Sequence, residues 1–174
     1  MLRHFTPADY KTMAWANGKG STVEMLRVDR DGEMLWRLSR ASVVENGDFS
    51  LFAGIDRNLT VISGPGFDLI GQGLHMQARP LRPVAFSGDL VLAASGVLAP
   101  SDDFNVMTAR HLPQPQVTVL HQSTDVAKGG TLALFALAHV QVNGKAVGPC
   151  DLIITDTAFE VVATGPAILV RLQL

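Results

Sequence analysis

The sequence is poor in the residues that staple or metallate a fold. It has one cysteine, Cys150, in 174 residues. An internal disulfide is therefore excluded, and a reducing compartment, the cytoplasm, is the expected setting. Its five histidines, His4, His75, His111, His121 and His139, are spaced too widely to form the H-x-H pair of a metal-binding strand. No apolar run approaches the ~20 residues of a membrane-spanning helix. The opening Met1-Leu2-Arg3-His4-Phe5-Thr6-Pro7 has no apolar core of a secretion signal. Charge of one sign is lacking too: 14 Lys and Arg against 16 Asp and Glu give a net charge of −2 without basic runs. That balance favours neither nucleic acid nor an anionic membrane surface as partner.

Sets for covalent or nucleotide chemistry are equally sparse. Trp15-Ala16-Asn17-Gly18-Lys19-Gly20-Ser21-Thr22 has the glycines and lysine of a phosphate loop but not the G-x-x-x-x-G-K-[ST] spacing. Ser39 and Ser50 sit in no G-x-S-x-G elbow. Cys150 follows Pro149 with no histidine nearby and reads as a packed, inert thiol. The expectation is a protein with no metal, no cofactor and no assigned catalytic residue.

What the sequence does have is strand chemistry. Hydrophobic residues make up 47% and charged residues 17%, ample for a core. Short runs of Val, Ile, Leu, Thr and Phe are broken by Gly, Pro, Asn and Asp every ~8–12 residues, as in sandwiches and barrels. Asp31-Gly32, Asn46-Gly47 and Asn143-Gly144 carry two-residue hairpin signals. Thr6-Pro7-Ala8-Asp9 offers a cap, a proline at the first helical position and an acid at the third, enough for one or two helical turns before Trp15. Smoother strands follow Leu112-Pro113-Gln114-Pro115: Val117 to His121, Thr131 to Val142, Asp151 to Thr155 and Ala167 to Leu174. The stiff Pro-x-Pro reads as a seam between residues 1–112, which hold the unusual polar positions, and residues 113–174, which read as mainly structural and as the side for a homodimer contact, if one forms.

Alternation along strands makes some polar residues informative. In Thr22 to Asp29, Glu24 shares a face with Thr22, Leu26 and Val28, which points it inward. In Trp36 to Val43, Arg37 and Ser39 share a face with Ala41 and Val43. A buried arginine needs an acid, with Glu24, Asp56 and Asp103 as candidates, or else an anionic ligand. A closed structural ion pair and a solvated strand face remain the competing readings. Gly47 to Arg57 alternates aromatics with polar groups before a strand at Asn58 to Ser63. Met107, Phe104 and Val106 read as core, with Asn105 and Arg110 either reaching the same pocket or bracing it.

Five blocks, in order, carry a family likeness: W-x-N-G-x-G-x-T-x-E (Trp15 to Glu24), W-R-L-S-x-A (Trp36 to Ala41), G-x-F-S-x-F-x-G-x-D-R (Gly47 to Arg57), F-x-G-D (Phe86 to Asp89) and D-F-N-V-M-x-x-R (Asp103 to Arg110). Together they resemble the HutD/Ves family. The resemblance covers most of residues 15–110, with no matching motif after Pro113. It implies an all-β bicupin: two cupin-like β-barrels in one compact chain with one or two short helical turns. It also implies a link to histidine utilisation, in a sensing, regulatory or accessory role with N-formylglutamate or a related acid as ligand.

The residues and the resemblance together lead to a binding protein for a small carboxylate metabolite. Arg37 and Arg57 are the expected anion partners. Asn17, Thr22, Ser39 and Ser50 are expected to hydrogen-bond the ligand, and Glu24 and Asp56 to orient the arginines. Trp15, Phe49 and Phe52 would wall the pocket, with Asn105 and Arg110 at its edge. Two alternatives stay open: a metal-independent hydrolase or isomerase of a formylated or imidazole-derived acid, with Glu24 or Asp56 as base, and an interaction protein whose polar network is closed.

Overall fold

The computed structural model describes residues 1–15 and 20–173. Among these, the chain runs through β1 (Arg3–Phe5), β2 (Lys11–Ala14), β3 (Ser21–Arg30), β4 (Glu33–Val43), β5 (Gly47–Asp48), β6 (Ile55–Ser63), β7 (Phe67–Gly71), β8 (Leu74–Ala78), β9 (Val84–Ser87), β10 (Ala93–Ser95) and β11 (Ser101–Ala109). It continues through β12 (Gln116–Leu120), β13 (Thr124–Val126), β14 (Thr131–Ala136), β15 (Val140–Val142), β16 (Lys145–Val147), β17 (Leu152–Thr155), β18 (Phe159–Ala163) and β19 (Ala167–Leu172). The only helical turn among the described residues is a 3-10 turn at Pro7–Asp9, where the Thr6 amide donates to Asp9 Oδ2 at 2.8 Å. The anticipated helix stops there because Lys11 to Ala14 are drawn into pairing with β3.

Two compact units result, Lys11–His111 and a second made of Met1–Tyr10 with Leu112–Leu174. The later boundary falls beside the Pro-x-Pro seam. The first ten residues, grouped with the leading half in the sequence reading, belong to the other unit: β1 pairs antiparallel with β17, Arg3 opposite Ile154. The expected barrels resolve, in hydrogen-bonding terms, into pairs of sheets. In Lys11–His111 these are a six-stranded sheet, β2-β3-β4-β11-β6-β9, and a four-stranded sheet, β5-β10-β7-β8. In the other unit they are β1-β17-β14-β19-β12 and β13-β18-β15-β16.

Two of the three hairpin signals make turns. Asp31 and Gly32 take φ of 53° and 82° between β3 and β4, and Asn143 and Gly144 take 49° and 75° between β15 and β16, the left-handed values of a primed turn. Asn46-Gly47 does not. Gly47 enters β5 opposite Ala94, and Asn46 Oδ1 accepts from the Val97 amide at 3.0 Å, so the pair ties a loop down instead of reversing the chain.

The unit containing the C-terminal strands is filled by apolar side chains, among them Leu132, Leu134, Val142, Ile153, Phe159 and Val161, nearly all without solvent exposure. The interior of Lys11–His111 is divided. Toward β6 and β9, Leu59, Val61, Phe67, Leu69, Phe86 and Leu92 form an apolar core. Toward β3, β4 and β11 the same layer is polar.

Candidate functional site

Strand register explains why these polar groups share one face. Residues opposite one another in an antiparallel pair project to the same side. Thr22, Ala41, Asp103 and Val61 form one rung across β3, β4, β11 and β6. Glu24, Ser39, Asn105 and Leu59 form the next, and Arg27, Arg37, Met107 and Arg57 the third. A bulge at Met25 sets the phase: Glu24 lies opposite Ser39 and Leu26 opposite Leu38, so one extra residue fits between rungs. Leu26 and Val28 therefore lie on the opposite face from Glu24, which corrects the face read from simple alternation. These rungs floor a cavity of about 560 Å³, within the usual range for a small-molecule site. Its far wall is the segment from Val44 to Ser50 with Phe52 and Ala94.

Arg37 is buried on this floor, and its Nε stands 2.6 Å from Glu24 Oε2. The contact is an ion pair without in-line hydrogen-bond direction. It anchors the base of the guanidinium, and the two Nη groups have no partner among the described residues. Arginine and acid are 11% and 17% exposed, so the charge is held where water is scarce and a carboxylate would meet a preset fork.

Arg57 is held differently. Its guanidinium carbon lies 5.4 Å from the Phe49 ring centroid, 5.3 Å from Phe52 and 5.1 Å from Phe86, three sides of an aromatic cage. Nη2 donates to Asn105 Oδ1 at 3.0 Å and Nη1 to the Ser50 carbonyl at 3.4 Å. Burial pushes the guanidinium down to about 10; the Asp103 carboxylate opposes that drop and Arg37 adds to it. Arg57 is still a cation at neutral pH.

Asn105 passes this charge on. Its Nδ2 donates to Asp103 Oδ1 while its Oδ1 serves Arg57. Asp103 is 1% exposed, and burial lifts its carboxyl to about 7 against the pull of Arg57 and the Asn105 hydrogen bond. A group poised there holds or releases a proton near neutrality, as functional carboxyls often do.

The far wall is seated by close backbone contact. A Cβ on Gly88 would lie 2.5 Å from the Phe52 carbonyl and 2.7 Å from that of Ile55. Its absence lets Gly88 donate to Ile55 at 2.7 Å and accept from Phe52 at 2.8 Å. Asp89 Oδ1 accepts from the Gly54 amide at 3.0 Å, and the Phe49 amide donates to Leu92 at 2.9 Å. The F-x-G-D block thus holds down the segment that presents Phe49, Ser50 and Phe52. At the other lip, Trp15 Nε1 donates to Thr22 Oγ1 at 2.9 Å and the indole packs on Gly20.

Of the residues singled out from the sequence, Trp15, Thr22, Arg37, Ser39, Phe49, Ser50, Phe52, Arg57 and Asn105 line the cavity. Glu24 stands behind Arg37. Asn17 lies outside the described residues. Asp56 and Arg110 are elsewhere: Asp56 neighbours Arg57 on β6 and so projects from the opposite face. There Arg110 Nε meets Asp56 Oδ1 at 3.0 Å, and Arg110 also pairs with Asp89 and donates to Ser87 Oγ at 2.6 Å. This partly exposed cluster corrects the expectation that Asp56 orients an arginine of the pocket and that Arg110 borders it. Met107, read as plain core, is buried yet also lines the cavity. Asp103, weighed only as a partner for Arg37, is the acid on the cavity floor.

Histidines stand apart from this site. His4 Nε2 contacts Asp151 Oδ2 at 2.8 Å, and His75 Nε2 contacts Asp68 Oδ2 at 2.7 Å. Among the described residues no three His, Cys, Asp or Glu side chains are grouped to hold a metal ion. Cys150 occupies a turn with φ of 68°, its amide donating to the Ala136 carbonyl at 2.7 Å.

An all-β, cupin-like protein with a polar, arginine-bearing cavity is the class this architecture defines. Comparison with known proteins narrows it. The HutD family model matches residues 7–167. The chain is 34% identical over 142 residues to an uncharacterized 21.2 kDa protein in the hutC 3′ region of Pseudomonas putida, covering 78% of this chain and 74% of that one. It is 32% identical over 141 residues to Protein Ves of Cronobacter sakazakii, covering 78% and 76%. Among solved structures, HutD from Pseudomonas fluorescens SBW25 (formate condition) superposes with a TM-score of 0.90 at 30% identity, covering 99% of this chain and 98% of that one. The chain belongs to the HutD family, which is linked to the histidine utilisation locus.

Proposed function

We propose that the chain is a binding protein of histidine utilisation, regulatory or accessory in role. It holds a small carboxylate metabolite such as N-formylglutamate in the metal-free cavity of Lys11–His111. The observation that carries this reading is the Arg37 guanidinium, anchored through Nε by Glu24 while both Nη groups lack a protein partner at a cavity of about 560 Å³. Leaving a buried cation half-satisfied is costly, and a ligand carboxylate bonded through both Nη groups would remove that cost. Arg57, within the same cavity, adds a second positive charge. Relatedness to a solved HutD and to a protein from a hutC region supports the metabolic setting. The paired sheets of each unit support reading the chain as a bicupin, and its single cysteine suits a reducing, cytoplasmic setting.

The test is thermal unfolding of metal-stripped protein against N-formylglutamate, formiminoglutamate, urocanate, histidine and glutamate. A ligand at 100 times its Kd adds about 2.7 kcal/mol, or roughly 5–10 °C for a chain of this size. A selective rise with one acid supports the reading, and a flat panel at millimolar concentration opposes it.

One observation favours a second reading, a metal-independent hydrolase or isomerase. Asp103 lines the cavity with a carboxyl near 7, suited to a general base. Product formation from formylated acids by metal-free protein, lost in Asp103→Asn, would select it.

A further inference from the structure

The cavity floor is polarised along β11, and that polarity says more about the ligand than the arginines alone. Arg37 and Arg57 flank Met107, while Asp103 lies four residues away on the same strand and face. Asn105, between them, joins the two ends: its amide touches Arg57 on one side and Asp103 on the other. Only one Asp103 oxygen is engaged this way. Oδ2 has no hydrogen-bond partner among the described residues, and Asp103 lines the cavity. An ionised acid on the floor of a pocket built to attract an anion opposes that anion unless the ligand brings a donor to it.

We propose that Asp103 is a specificity residue that accepts a hydrogen bond from a ligand N–H, so that the cavity selects acids carrying an amide or ammonium donor as well as the carboxylate. This rests on the carboxylate-binding reading above. The carboxylate takes the Arg37 end and the N–H takes Oδ2 of Asp103. The Asn105–Ser39 rung lies between the Met107–Arg37 rung and the Asp103–Ala41 rung, so one small ligand lying across it would offer a carboxylate to one end and a nitrogen donor to the other, as an N-acyl amino acid does. Ser39, buried on the same rung as Asn105, presents a hydroxyl between the two poles. A carboxylate-only ligand of similar length satisfies the cationic pole and leaves Asp103 facing a hydrocarbon chain. That arrangement leaves a buried polar group unpaired, which is the source of strong discrimination in hydrogen-bonding sites.

The experiment is calorimetric titration of the full chain with N-formylglutamate and with glutarate, which has the same two carboxylates but no nitrogen. The expected result is at least ~10-fold tighter binding of N-formylglutamate, a preference that collapses in Asp103→Asn and Asp103→Ala as glutarate binding holds or improves. The asparagine variant keeps the shape and the oxygen that receives the Asn105 bond. Equal binding of the two acids by the wild-type chain overturns the inference, as does a preference that survives both substitutions; in either case the carboxylate site itself stands. Absence of binding by both acids overturns the underlying reading as well.

Discussion

Replacing Asp103 with asparagine should change the pH dependence of stability in a direction set by its burial. The carboxyl titrates near 3.8 in an unfolded chain and at about 7 on the cavity floor. Between those values the folded protein keeps a proton that the unfolded chain has released. Its contribution is therefore fully present below about pH 4 and is lost as pH rises through 7. The interval corresponds to about 4 kcal/mol, an upper figure because relaxation around Asp103 in either charge state reduces it. Asp103→Asn carries no such term, and its side-chain carbonyl can still accept from Asn105. Relative to wild type, the variant should gain stability progressively from pH 4 to 7 and hold that gain above 7. Urea unfolding followed by tryptophan fluorescence reads the right unit, since Trp15 and Trp36 both lie within Lys11–His111. A difference between variant and wild type that is constant from pH 4 to 8 would refute the assignment of a buried, proton-holding carboxyl.

Other substitutions separate the site from its surroundings. Arg110→Ala, in the cluster with Asp56 and Asp89, should leave N-formylglutamate affinity unchanged in calorimetry; a large loss would place that cluster in the site after all. Gly88→Ala should force the Phe52–Ile55 backbone outward, because its Cβ would stand 2.5 Å from a carbonyl oxygen. A cost of about 1–3 kcal/mol in denaturant unfolding should accompany weakened ligand binding as Phe52 shifts from Arg57. Arg57→Lys should lose the planar stacking on Phe49, Phe52 and Phe86, lowering stability by about 1–3 kcal/mol and reducing affinity in the same titration.

Much of this site was legible in the sequence because it obeys strand alternation. Arg37 and Ser39 recur at two-residue spacing on one face of β4, and the observed register brings Glu24 beside Ser39 and its side chain to Arg37, although the alternation with Leu26 and Val28 that pointed Glu24 inward is broken. The bulge at Met25 was not legible, because an extra residue in one strand is defined only by its partner. Asp56 was expected to orient a pocket arginine, yet it neighbours Arg57 on β6 and alternation sends neighbours to opposite faces. Asp103 was weighed only as a partner for Arg37, because nothing local marks it as buried. Its burial comes from β11 lying at the centre of a six-stranded sheet, which is decided by β4 and β6, segments some 40–60 residues away. Asn46-Gly47 has turn chemistry, yet pairing with β10 draws Gly47 into an extended strand. The exchange of the first ten residues into the other unit rests on pairing with β17, about 150 residues away, beyond any local pattern.

The most direct test of the central claim is calorimetric titration of N-formylglutamate into metal-free wild-type protein and into Arg37→Ala. The account predicts saturable one-site binding by the wild type and a loss of about 100-fold or more in the folded variant, on the scale of about 3 kcal/mol for a charged, two-pronged contact. Equal affinity in the two proteins, or no heat of binding in either at millimolar acid, would contradict it.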